Sequence, residues 1–288
     1  MNTIIITDSC SDLPISFIKE NNVPVVSQAF NFKGKEYLDD FGETIGYREF
    51  YNAVREGEMT TTSQINVFTY AEEFRKYVKI GKSVIYIGFS SALSGSLNSA
   101  NLAKDMILKE FENADITVID SKCASTGEGL LVYYAYNMLK EGHTKDEIVD
   151  WLETNKLKVN HWFTVNDLNY LKRGGRVSGT AAYIGTILDI KPVLHVDDEG
   201  RLIPVTKVKG RKKSLRMLAD KLNEMIVNPE EQVIFISHGD CIDEAEHLKK
   251  LILESCKVKD IILTYIGPIV GSHAGPGTVA LFFMGNKR

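Results

Sequence analysis

Residues 83–89, SVIYIGF, form an almost unbroken apolar run that empties directly into SSALSGSLNSA at residues 90–100. A run of that length bounded by small polar residues reads as a strand buried on both faces. Helical spacing from Ser94 to Phe111 supplies the helix behind it. The same order recurs on either side. Thr3–Thr7 (TIIIT) is a short apolar strand ending in Asp8-Ser9-Cys10-Ser11-Asp12 and Leu13-Pro14, a helix cap with proline in the first turn. Ile116–Asp120 (ITVID) is a third strand, followed by a helix through Tyr133, Tyr134 and Tyr136. Strands alternating with helices specify an α/β lobe around a mostly parallel sheet.

Further out, Val23–Phe32 alternates like a strand and turns at Lys33-Gly34, while residues 47–55 and 67–78 repeat apolar side chains at helical spacing. Thr144 and Glu147 form a capping box for a helix to Leu152. A composition shift at residues 156–161 marks a hinge, dividing the chain into residues 1–158 and a smaller α+β lobe at 159–288. There, Val193–Val196 and Leu202–Val208 flank Asp198-Glu199-Gly200 as a hairpin. Helices 211–226 and 242–255 alternate with strands 232–237 and 258–266, and Val279–Met284 is the last strand.

The 288 residues sit near the length at which one core stops growing, which favours two lobes sharing an interface. With 34 basic and 38 acidic residues, the net charge of −4 gives no general positive field to hold nucleic acid. Cys10, Cys123, Cys241 and Cys256 stand singly, without metal-ligand or redox spacing. With no signal-like start, they indicate a reducing cytoplasm. No apolar run reaches the length of an integral membrane segment.

Two stretches are dense in hydroxyls: Thr60, Thr61, Thr62 and Ser63, then Ser90, Ser91, Ser94, Ser96 and Ser99. Neither contains a base. A serine without one is a poor nucleophile but a good neutral donor to a carboxylate or phosphate. The second stretch follows a strand and opens a helix, where amides and dipole favour an anion. Ser and Thr are also the preferred N-caps, and for any single one of them a cap is the better reading. A nucleophile elbow is absent: GFSSA lacks its second glycine and ALSG its first.

Among six histidines, His273 stands out in the glycine-rich stretch GSHAGPGT (271–278), read as a loop between two strands that can approach a ligand or simply face solvent. His143, His161, His195, His238 and His247 read as structural. Lys172-Arg173-Gly174-Gly175-Arg176 lacks the spacing of a phosphate loop. Lys207, Lys209, Arg211, Lys212, Lys213 and Arg216 crowd a helix start, against the dipole, which suggests an anionic compensator. The uncharged stretch 177–188 suits a buried core helix, or a wall for a long apolar ligand.

Taken together, TDSCSDLP (7–14), TSQ (62–64), SSALSGS (90–96), VIDSK (118–122), LKRGGRVS (171–178), KPVL (191–194) and SHAGPG (272–277) resemble the DegV family over essentially the whole chain. These are bacterial fatty acid-binding proteins that include the acyl-carrying subunit of fatty acid kinase. The resemblance implies a lipid tunnel between the lobes, its carboxylate held by Thr62 and Ser94, with Ser63 and Ser91 as neighbouring ligand-binding candidates. It puts His273 and Arg176 near the head group in support of phosphoryl transfer. Lys209 stands where the family commonly has arginine, an ammonium in place of a planar guanidinium, with Arg211 two residues on. Ile65 replaces a frequent proline, and Ser96 a frequent threonine.

The expected function is a carrier that is not itself an enzyme. It needs no cofactor or metal, binds a long-chain fatty acid such as palmitate, and serves a separate ATP-dependent fatty acid kinase, since the chain has no nucleotide loop of its own. Two other readings stay open: a serine hydrolase or acyltransferase, and a binding module for a small phosphorylated metabolite.

Overall fold

The computed structural model describes residues 2–177 and 189–288. Apart from Val177, the uncharged stretch 177–188 lies outside them. The N-terminal half runs β1 (Thr3–Asp8), α1 (Ile15–Asn21), β2 (Val25–Val26), β3 (Ala29–Phe32), β4 (Lys35–Leu38), α2 (Tyr47–Arg55) and β5 (Thr61–Ser63). It continues with α3 (Val67–Val78), β6 (Ser83–Gly88), α4 (Ser96–Glu110), β7 (Ile116–Asp120), α5 (Thr126–Lys140) and α6 (Lys145–Asn155). Then follow β8 (Val159–Thr164), α7 (Asn169–Arg173), β9 (Ile190–Val196), β10 (Leu202–Lys209) and α8 (Arg211–Met225). The chain closes with β11 (Val233–His238), α9 (Ile242–Leu253), β12 (Asp260–Tyr265), α10 (Pro268–Ala274) and β13 (Val279–Met284).

The fold is mixed α/β. A parallel sheet, β2-β1-β6-β7, forms the N-terminal part, and a mixed sheet, β10-β9-β8-β13-β11-β12, forms the C-terminal part. Between them lies α5, ten of whose fifteen residues are buried, as a helix packed on two sides must be. Its Leu130, Leu131 and Val132 join Ile5 and Ile85 of one sheet and Phe163, Phe235 and Phe282 of the other in a single core. The strands alternate faces accordingly. In β13, Ala280, Phe282 and Met284 enter this shared core, while Val279, Leu281 and Phe283 pack outward with α8 and α9. On the far side of the parallel sheet, α3 and α4 cover Ile6, Val84 and Tyr86.

The boundary at residues 156–161 holds a 3-10 turn, Lys156–Lys158, and the start of Val159–Thr164, a strand buried along its whole length. Three local readings change. Val23–Phe32 is two strands: β2 joins the parallel sheet, whereas β3 heads a separate three-stranded antiparallel sheet, β4-β3-β5. Between them, the Gln28 amide donates to Ser9 Oγ instead of to a neighbouring strand. Pro14 occupies the cap position of α1, and Ser9–Ser11 form their own 3-10 turn, capped by Asp8 accepting the Cys10 amide. The residues around His273 are not a loop. Pro268 starts α10 from a Gly267 cap, and Gly275 at φ 79° ends it, placing His273 in the last turn. The capping box of α6 forms as expected.

Candidate functional site

A cavity opens on the inner face of the six-stranded sheet. β13 supplies Ala280 and Phe282, β8 supplies Phe163 and His161, and β9 and β10 supply Val196 and Leu202. The register pairs Ala280 with Phe163 and Phe282 with His161, so these side chains form one continuous floor. Phe89, Leu93 and Ala124 line it from the segments after β6 and β7, the carboxyl ends of parallel strands where α/β folds hold ligands. The space is about 750 Å³, counting the part open to solvent.

Thr62, Ser94, Arg176 and His273 all line this cavity. They arrive from four distant segments and are fixed to one another. Thr62 Oγ1 and His273 Nε2 share a 2.8 Å hydrogen bond whose direction follows the ring's tautomer. The Ile65 amide donates to Ser96 Oγ, which also accepts from Ser94 Oγ, so the TSQ strand is stitched to the start of α4. Gly95 lets Gln64 lie against that turn: a Cβ there would sit 2.1 Å from Gln64 Oε1. Arg176 Nε donates to the Leu93 carbonyl and its Nη1 to that of Gly174, which aims the guanidinium beside Ser94.

Ser63, Ser91 and Lys209 do not line the cavity. Ser63 is exposed, on the opposite side of β5 from Thr62. Ser91 is exposed and occupied, donating to Asp120 and accepting from Lys122. Lys209 is exposed at the end of β10. Arg211, two residues on, pairs with Glu244 at 2.6 Å and donates to the Gly277 carbonyl, so part of the basic run finds its anionic partner within the chain. Ser90, donating to the Gly200 carbonyl, is packing rather than site.

Sequence reasoning passed over Cys10, Gln28, Ser125 and His161, all of which reach the cavity. For His161 a signal existed, since it shares the face of Phe163 two residues away in a strand. Burial pushes its pKa well below the ordinary value, assisted by the charge of Arg288. His273 is pushed down to about 4 by burial and then by Arg176. Both rings are neutral at physiological pH. Behind the wall, burial raises the carboxyls of Asp8, Asp12, Glu128 and Asp39, the last to about 7. The Cys10 thiol is likewise raised and protonated. The lining thus presents apolar surface, neutral donors and one guanidinium, which suits an amphiphile ending in an anion. Among the described residues no cluster could hold a metal ion, and no helix is long and apolar enough to cross a membrane.

A family model described as "Uncharacterised protein, DegV family" matches residues 2–286. A DegV domain-containing protein of Clostridium perfringens is 49% identical over 285 residues, covering 99% of this chain and 98% of its own length. Among solved structures, a fatty acid-binding DegV family protein from Thermus thermophilus superposes with a TM-score of 0.90 at 30% identity, covering 99% of this chain and 100% of that one. A stearic acid-binding protein from Eubacterium ventriosum gives a TM-score of 0.87 at 28% identity over 98% of each chain.

Proposed function

The chain belongs to the DegV family, and from that premise we propose that it carries one long-chain fatty acid, such as palmitate, in the cavity. Thr62 and Ser94 hold the carboxylate, His273 and Arg176 position it, and a separate ATP-dependent kinase converts it to an acyl phosphate. The observation that carries this reading is the junction of an apolar cavity with Thr62, Ser94, Arg176 and His273. Burying methylenes is worth about 0.8 kcal/mol each, on the order of 10 kcal/mol for a sixteen-carbon tail before ordering costs. Hydrogen bonds to the carboxylate add roughly 1.5–3 kcal/mol each. Neutral donors leave a carboxylate oxygen able to attack a phosphoryl group. Four free cysteines support a reducing, cytoplasmic setting.

Titrating the wild type and Thr62→Ala/Ser94→Ala with palmitate tests the head-group assignment, with weaker retention expected in the variant; equal affinity would place the carboxylate elsewhere. Kinase presentation is tested by acyl phosphate formation from palmitate, ATP and a fatty acid kinase, which should require this chain. The Thr62–His273 bond also matches a nucleophile and base. A histidine held near 4 by burial is a weak base for that task, however. Turnover of a p-nitrophenyl ester, abolished in Thr62→Val, would favour the hydrolase instead.

A further inference from the structure

The floor of the cavity has a direction. It starts beside α10, where Thr278 follows the segment carrying His273, and proceeds along β13 through Ala280 to Phe282. Four residues of strand cover about 13 Å. The next pair on that face, Met284 opposite Val159, is buried and does not line the cavity. The far end of the cavity is therefore the ring of His161 with Ala124 and Val196 at its sides, and a residue one or two positions from each of these is tied to one side chain.

That side chain is Arg288. Its Nε donates to the Val159 carbonyl at 3.0 Å, and its Nη1 to the carbonyls of Lys122 and Asp197, both at 2.8 Å. Nη2 donates to the Lys156 carbonyl at 2.8 Å and to Cys123 Sγ at 3.4 Å. A guanidinium has five N–H groups, and all five are engaged here. The acceptors come from the segment after β7, the turn before β8, the first residue of β8 and the β9–β10 turn. Val159 O also receives His161 Nδ1–H, so the ring at the end of the cavity and the guanidinium behind it share an acceptor.

We propose that Arg288 is the tail-end stop of the cavity: by locking the four backbone segments behind His161, Ala124 and Val196, it sets the longest acyl chain that the protein accepts. The proposal rests on the acyl-carrier reading and assigns the end of that site remote from the carboxylate. Without the guanidinium, four carbonyls lose their common donor, the segments are free to part, and the end wall yields to a longer tail.

The test is competition among saturated C14, C16, C18 and C20 acids, read as bound masses by native mass spectrometry, for wild type, Arg288→Ala and Arg288→Lys. An end wall discriminates against surplus methylenes by about tenfold or more. Arg288→Ala should therefore raise the C20 to C16 ratio about tenfold and leave C14 retention within about twofold. Arg288→Lys, which keeps stem and charge but cannot bridge four carbonyls, should shift the ratio less, in the same direction. An unchanged length profile, or equal loss at every length, overturns the proposal, and if Arg288→Ala does not fold, Arg288→Lys alone decides. Wild type that takes up no acid sinks the carrier reading and this one together. Wild type that binds, with unaltered profiles in the variants, sinks only the stop.

Discussion

Replacing Gly174 with alanine would place a methyl carbon 2.3 Å from Nδ1 of His273, where ordinary contact begins near 3.4 Å. The ring must therefore retreat by about 1 Å, since its neighbour is backbone-fixed. Its other nitrogen is already 2.8 Å from Thr62 Oγ1, so it can move only into that hydroxyl or out of line with it. Either way the bond is lost. The backbone itself does not object: Gly174 sits at φ −72°, ψ −10°, and alanine there should add roughly 0.4–1 kcal/mol by restricting the unfolded chain. Displacing the half-buried ring costs typically about 1–3 kcal/mol, which outweighs that gain, so the expected variant is somewhat less stable than wild type and weaker for palmitate. One misplaced hydrogen bond to a charged head group is worth roughly 1.5–3 kcal/mol, or about tenfold to a hundredfold in affinity. Calorimetric titration with palmitate measures this, and imidazole NMR reports the ring. Shifted His273 resonances with unchanged affinity would refute the head-group role; unshifted resonances would refute the packing.

Three further outcomes are expected. Thr62→Val keeps the shape and removes the hydroxyl, so palmitate affinity should fall about tenfold while palmitate methyl ester binds as before; equal losses for both would mean a packing defect. In the ligand-free protein His273 should titrate near 4, because burial and Arg176 disfavour its cation; its contribution to stability is complete above about 6.5 and lost as pH falls through 4, and an NMR midpoint near 6.5 contradicts this. Asp39 has the opposite sign: burial raises its carboxyl from 3.8 to about 7, so its contribution is complete below 3.8 and lost as pH rises through 7. Urea unfolding should show wild type losing up to about 4 kcal/mol relative to Asp39→Asn between pH 4 and pH 8, whereas parallel pH curves would contradict the burial argument.

Elements whose periodicity was unambiguous were legible to the residue: α2 over Tyr47–Arg55, α3 over Val67–Val78, β7 over Ile116–Asp120 and β13 over Val279–Met284. Legibility failed where tertiary contacts outweigh local signals. Gly271, Gly275 and Gly277 read as loop, yet α10 is held by a proline start, a glycine stop and packing of Ile269 on Phe50 and Tyr51. The TDSCSD segment read as a simple cap, because nothing local says that Asp8 and Asp12 will be buried beside Glu128, 120 and 116 residues downstream. Hydroxyl density pointed to two segments that each send a residue to the cavity, but could not choose within them. Thr62 was separated from Ser63 by strand alternation, and Ser94 from Ser91 by the Asp120–Lys122 pair that occupies Ser91. His161 was missed because a lone histidine in an apolar strand is ordinarily core, and here it is core that also faces a cavity.

The most direct test of the carrier account is a crystal structure of the chain with palmitate. The carboxylate should lie within about 3.2 Å of Thr62 Oγ1 and Ser94 Oγ, and the tail should run past Phe282 to end against His161. A cavity that stays empty at saturating palmitate, or an acid bound with its methyl end at Thr62, would contradict it.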